Sequence, residues 1–227
     1  MRFAKANLMK PRCSNQDCHA LTLAEVLVVI FSFFIVSFVI LVALGFLNEI
    51  GSKSKSQRIN CVNNLKQIGL AYRIWGGDHG DKYPMQISTT NSGAQELALA
   101  GDANAIFRGM SNELGTPKIL FCPADLGRFS ATNFNRDLNG KISYFANVDA
   151  NDLYPQMILS GDDTFARGGL PVKSGLLEVS AQNPIAWTAA RHKFAGNLGI
   201  ADGSVQMVNN SGLSNLVNQA TNRLAIP

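Results

Sequence analysis

From Val26 to Leu47 the chain runs for twenty-two residues without a charge or a proline, and only Ser32 and Ser37 interrupt it with a hydroxyl. At about 1.5 Å per residue this is roughly 33 Å of helix against a hydrocarbon core of about 30 Å, so the run is long enough to cross a bilayer. After Asn48-Glu49-Ile50 the pattern changes. Apolar or semi-apolar residues recur at Val62, Leu65, Ile68, Tyr72 and Trp75, with Asn63, Asn64, Lys66, Gln67 and Arg73 between them. That spacing belongs to a helix with one packing face and one wet face. A continuous helix over residues 21–75 is expected, with 21–47 as its membrane part, Gly51-Ser52 as the place for a bend and Gly76-Gly77-Asp78 as its stop.

The remainder, residues 76–227, has the size of one domain and shorter elements. Gln95 to Ala100 and Ala105 to Leu114 read as short helices, and Lys118 to Cys122 and Ile142 to Asn147 as short strands. Ile185 to Ala190, Leu198 to Ala201 and Ser204 to Val208 are apolar or alternating runs, and Asp202-Gly203 between the last two is a strong hairpin signal. Leu213, Leu216, Val217, Ala220 and Leu224 fall at helical spacing and predict a short C-terminal amphipathic helix. The fold class is therefore α+β: a long N-terminal helix, an antiparallel sheet in the head and a short closing helix. Tyr83, Tyr144, Tyr154 and Trp187 are expected in the core, since no basic residues interleave them as on a nucleic-acid stacking surface.

Composition sharpens this. With 46% hydrophobic and 16% charged residues among 227, a disordered polymer is excluded. The mean hydropathy of +0.06 averages one very apolar stretch with a polar, Gly- and Asn-rich remainder. The net charge is 20 − 16 = +4, but Arg2, Lys5, Lys10 and Arg12 against Asp17 put +3 of it in the first twenty residues. The remaining +1 indicates no nucleic-acid partner.

Three readings of the apolar run compete: a secretory signal peptide, a permanent anchor, and a leader followed by a retained helix. A signal peptide has an apolar core of roughly 7 to 15 residues and is cut after it, which this run exceeds. Glu25 separates the other two, because a carboxylate at the edge of a spanning helix usually has a partner. The segment Ala20-Leu21-Thr22-Leu23-Ala24-Glu25 resembles the prepilin peptidase site of type IV pilins and type II secretion pseudopilins, with Ala20 and Leu21 where that family prefers Gly and Phe. Arg191-His192, nine residues, then Asp202-Gly203, with Asn197 midway, resembles the H-X9-DG signature of a prepilin-like subgroup. Cys61-Val62-Asn63-Asn64-Leu65-Lys66-Gln67-Ile68-Gly69-Leu70 and Cys122-Pro123-Ala124-Asp125 are similar to the same subgroup.

The resemblance implies a cytoplasmic leader, residues 1–20, cut between Ala20 and Leu21, and methylation of the new amine of Leu21. It implies a pilin-like head facing the periplasm and a subunit that passes from the inner membrane into a periplasmic or extracellular filament. Its partners would be prepilin peptidase, the inner-membrane assembly platform, and copies of itself or other pseudopilins. An apolar helix leaves the bilayer only if it is buried against its copies, and Glu25 would then meet the Leu21 amine of a neighbour. The alternative is a single-pass, membrane-anchored periplasmic binding or scaffold protein that does not polymerise.

On this topology Cys13 and Cys18 stay with the leader in a reducing compartment, while Cys61 and Cys122 face an oxidising one. A Cys61–Cys122 disulfide is expected, with two buried thiols as the alternative. Cys13, Cys18 and His19 lack a fourth ligand for zinc. His192 and Asp202 read as a structural pair, a strand-ending histidine hydrogen-bonded near the Asp-Gly turn, and Asn197 and Gly203 share that structural role. The chain has no Gly-x-Ser-x-Gly, His-Glu-x-x-His or P-loop, so no catalytic residue and no cofactor are expected. Some pseudopilins of this type bind calcium in a head loop, and Asp149, Asn151, Asp152, Asp162 and Asp163 are the candidate oxygen donors.

Overall fold

The computed structural model describes residues 22–217 and 222–227, with residues 46–52 described as helical backbone only. The leader 1–20, Ala20, Leu21, Cys13, Cys18 and Ala220 lie outside the described residues. The contacts divide the chain into two units, residues 1–50 and 51–227.

In the first unit, helix α1 (Leu23–Asp78) begins. Its start is a capping box: Glu25 accepts hydrogen bonds from Thr22 N at 2.8 Å and Thr22 Oγ1 at 3.0 Å, while Thr22 Oγ1 accepts from Glu25 N at 3.3 Å. Leu23–Gly45 is long and apolar enough to cross a membrane, and its side chains are exposed all round.

The second unit opens with the rest of α1, whose backbone is helical through Gly51 and Ser52. The helix ends at Asp78, three residues beyond the expected Trp75. Gly76 and Gly77 are still helical; the left-handed residues that stop it are Gly80 (φ 66°) and Asp81 (φ 58°). Next come α2 (Gln95–Leu99), α3 (Ala103–Gly109) and α4 (Ser111–Leu114). The strands are β1 (Tyr144–Asn147), β2 (Ile158–Asp162), β3 (Phe165–Arg167), β4 (Leu170–Pro171), β5 (Gly175–Val179), β6 (Ala186–Trp187), β7 (Ala195–Ile200), β8 (Val205–Asn209) and β9 (Asn222–Ile226). Helix α5 (Asn210–Val217) lies between β8 and β9.

The main sheet is antiparallel in the order β5-β9-β1-β2-β7-β8, and a smaller antiparallel sheet has the order β4-β3-β6. The alternation of side chains across the main sheet builds two cores. Tyr144, Ala146, Leu159 and Ala225 point to one face and pack with Leu65, Ile68, Tyr72 and Trp75 of α1. Phe145, Ile158, Leu198, Leu224 and Ile226 point to the other, where Leu213 and Val217 of α5 and Phe165 and Trp187 of the small sheet cover them. Because both faces are covered, β1 is buried at every residue.

Several expectations change. Residues 117–120 form a 3₁₀ turn, not a strand: Pro117 occupies its first position and the Thr116 side chain accepts from Lys118 N at 3.4 Å. Of the run Ile185 to Ala190 only Ala186–Trp187 is strand. Leu224 belongs to β9, paired with Asn147 and Leu177, and not to the C-terminal helix. Tyr154 is 62% exposed, whereas Tyr83, Tyr144 and Trp187 are buried. The Asp202-Gly203 hairpin is present, with β7 and β8 in register from Ala195↔Asn209 to Gly199↔Val205.

Candidate functional site

The polar centre of the head lies where four segments meet. Gln57, Cys61 and Asn64 recur along one face of α1 at steps of four and three. Cys61 is disulfide-bonded to Cys122, with Cα atoms 5.1 Å apart. Gln57 Nε2 donates to Pro123 O at 3.0 Å and Asn64 Nδ2 to Phe121 O at 2.8 Å, so the helix clamps the backbone on either side of Cys122. Both sulfur-bearing residues are fully buried.

Next to this bridge is the Arg191-His192 segment. It is followed by Lys193 (φ 54°) and Phe194 (φ 61°), two consecutive non-glycine residues in the left-handed region. Such residues cost roughly 1–2 kcal/mol each, a local strain that the surrounding bonds hold in place. Arg191 is drawn inward: Nη1 donates to Ser143 O at 2.7 Å, and Nη2 bonds Asp163 Oδ1 and lies 3.0 Å from Asp125 Oδ2. Arg128 closes the network, donating from Nη1 to Asp163 Oδ2 at 2.6 Å and to Ile142 O at 2.5 Å. Ser143 Oγ donates to Asp125 Oδ2 at 2.9 Å. Two guanidinium groups thus compensate Asp125 and Asp163, as buried carboxylates require.

Asp162, at the end of β2, is fully buried. Its Oδ2 accepts from Asn197 N and Asn197 Nδ2, both at 2.8 Å, whereas its Oδ1 accepts no hydrogen bond and lies 3.9 Å from Arg191 Nη1. Burial pushes the Asp162 carboxyl up to about 6, against the opposing effects of Arg191 and Asn197. His192 Nε2 lies 3.5 Å from Asp162 Oδ2 and 3.7 Å from Cys122 Sγ. Burial, then Arg58 and Arg191, push its pKa down to about 4, so the imidazole is neutral at pH 7. Burial also pushes the Tyr72 and Tyr144 hydroxyls up.

The expected His192–Asp202 pair is not formed. Asp202 is exposed and caps its own turn, accepting from Ser204 N at 2.7 Å; the Ser204 side chain and then this backbone bond lower its pKa. Gly203 (φ 88°) sits in the same turn against Arg73. The motif therefore splits: His192 and Asn197 serve the buried Asp162, while Asp202 and Gly203 build the hairpin. Asp125, Arg128 and Arg191 are site residues to which sequence reasoning gave no role, although Asp125 and Arg191 stand inside the segments that it singled out.

The five oxygen donors suggested for calcium are not gathered. Asp149 is engaged by Arg223, whose Nε is 2.9 Å from Oδ1. Asn151 Oδ1 accepts from Leu153 N at 2.9 Å, and Asp152 Oδ1 accepts from the Tyr83 hydroxyl at 3.2 Å. Asp162 and Asp163 belong to the buried network. Among the described residues, Cys61, Cys122 and His192 are the His, Cys, Asp or Glu donors that group together, with ligand atoms within 4.8 Å of one another and the two sulfurs joined in the disulfide.

Comparison of the chain with protein-family models, with curated proteins and with solved structures gave no match. What the geometry defines is a head with one antiparallel sheet sandwiched between α1 and a second layer. A disulfide and a buried ionic network cross-link it.

Proposed function

We propose that the chain is a structural, non-enzymatic subunit of a type II secretion pseudopilus or type IV pilus-like filament. In this reading prepilin peptidase removes residues 1–20, Leu21 is methylated, and the processed chain rests in the inner membrane with its head in the periplasm. The assembly platform then moves it into a filament of like helices. The observation that carries the reading is the Leu23–Gly45 segment: apolar, exposed all round, and with Glu25 as its one ionisable residue. A helix of this kind is covered either by lipid or by copies of itself.

Glu25 has a double use on this reading. In the single chain it caps α1 through Thr22; in the filament it exchanges that contact for the Leu21 amine of a neighbour, which sets axial register. The test is Glu25→Ala in cells, with the mature N-terminus sequenced. A processed, membrane-resident protein that begins at Leu21 and is missing from sheared filaments is expected. Filament yield equal to that of the unsubstituted chain, or a mature protein that keeps residues 1–20, overturns the reading.

A further inference from the structure

The H-X9-DG histidine does nothing for the hairpin, and its imidazole is aimed at the disulfide. The Sγ atoms of Cys61 and Cys122 and the Nε2 of His192 all lie within 4.8 Å of one another, and all three residues are buried. We propose that the reduced chain holds a zinc-class divalent ion at this point, bound by the thiolates of Cys61 and Cys122, His192 Nε2 and the Asp162 carboxylate. The disulfide and the metal are then alternative occupants of one site.

Two of the six ligand separations already fit a tetrahedral ion. With Zn–S of about 2.3 Å and Zn–N of about 2.0–2.1 Å, a tetrahedral centre separates a sulfur from a nitrogen by about 3.6 Å, and a nitrogen from an oxygen by about 3.4 Å. Cys122 Sγ and His192 Nε2 are 3.7 Å apart, and His192 Nε2 and Asp162 Oδ2 are 3.5 Å apart. The two bonded sulfurs must part, and the Asp162 carboxylate, which is not among the donor atoms lying within 4.8 Å of one another, must close on them. The fourth ligand has an independent mark: Asp162 is fully buried, and its Oδ1 takes no hydrogen bond. Asn197 grips Oδ2 from two nitrogens and fixes the carboxylate, as outer-sphere partners do at metal centres. Two thiolates, a carboxylate and a divalent cation sum to −1, and Arg191 stands beside them.

The exchange balances. A dithiol reductant attacks the disulfide, giving two cysteine thiols and the reductant's own disulfide. The ion then displaces the two thiol protons, which leave to solvent, while neutral His192 gives a lone pair and releases nothing. The inference stands on the head alone and survives if the filament reading fails.

The experiment uses the full chain in detergent with Cys13→Ser and Cys18→Ser, refolded from the reduced state with zinc or cobalt. One ion per chain is expected in the reduced protein and none in the oxidised one. The cobalt form should show thiolate charge-transfer absorption and the intense visible bands of a tetrahedral centre. His192→Gln and Asp162→Asn should each weaken the affinity by about tenfold or more. Near-ultraviolet circular dichroism of their oxidised forms reports whether the fold is kept. X-ray absorption at the zinc edge of the chain with His192 and Asp162 intact needs neither variant, and two sulfur and two lighter ligands are expected. Absence of binding, equal binding by the oxidised chain, unchanged affinity in a folded His192→Gln, or any other sulfur count overturns the proposal.

Discussion

At the scale of single residues, Gly196 shows how closely the second core is packed. It lies in β7, and a Cβ built on it would fall 2.4–2.5 Å from three atoms of the Trp187 ring. That ring is buried and stacked on Phe165 with centroids 4.7 Å apart, so it has nowhere to retreat. Gly199, three residues on in the same strand, would place its Cβ at an ordinary 3.5 Å from Ser160 O. Gly196→Ala should therefore lower the unfolding free energy by about 1–3 kcal/mol, the usual cost of overpacking. Gly199→Ala should cost less than Gly196→Ala, because its Cβ meets only ordinary van der Waals contact. Urea denaturation of both variants checks the difference, and equal midpoints would show that Trp187 moves aside. Gly196 could not be singled out from sequence, because the residue that excludes a side chain there, Trp187, lies on another strand. His192 and Asn197 were visible as a motif, but their partner Asp162 was not: thirty and more residues separate it from them, and the hairpin offered a nearer carboxylate.

At the scale of elements, what could be read was whatever a local pattern fixes. The 3.6-residue stripe of α1 and the Asp-Gly turn between β7 and β8 are local, and both are found. Leu224 failed because its spacing from Leu213 is helical by coincidence; pairing with β1 and β5 decides its strand, and those residues are far away in sequence. Local chemistry also governs the entry to the short helices. Glu96 in the first turn of α2 accepts from Ser88 Oγ at 2.6 Å and Thr89 N at 2.8 Å, and these bonds hold its carboxyl down to about 2. Since the folded pKa lies below the ordinary 4.5, the stabilisation is complete above about pH 4.5 and is lost as the pH falls towards 2. Glu96→Gln should remove that acid-side decline for residues 84–99 by lowering their stability at pH 7 towards the acid value. Amide exchange of this segment between pH 5 and pH 3 checks it; an unchanged slope would mean that the two hydrogen bonds do not persist in solution.

At the scale of the whole head, the sheet is covered on both faces; in the second layer α5 was legible from Leu213, Leu216 and Val217, whereas the sheet β4-β3-β6 was not, since its strands are only two or three residues long. Such short strands hold through what they cover more than through their own pairing. The Cys61–Cys122 bridge acts on the larger core. It closes a loop of sequence separation 61, from α1 to the segment before β1, and α2, α3 and α4 all lie within that loop. In the chain-entropy account a loop of this length removes about 4 kcal/mol of disorder from the unfolded chain. The double variant Cys61→Ser, Cys122→Ser should therefore unfold with a free energy about 4 kcal/mol below that of the oxidised parent in chelator-containing buffer. The decisive comparison is the reduced parent: without metal it should match the double variant, and with zinc it should recover part of the loss, because an ion that binds only the folded chain adds stability in proportion to the logarithm of its concentration. If reduction costs less than about 1 kcal/mol in chelator, the helices inside the loop hold their positions through packing alone, and the bridge serves some end other than stability.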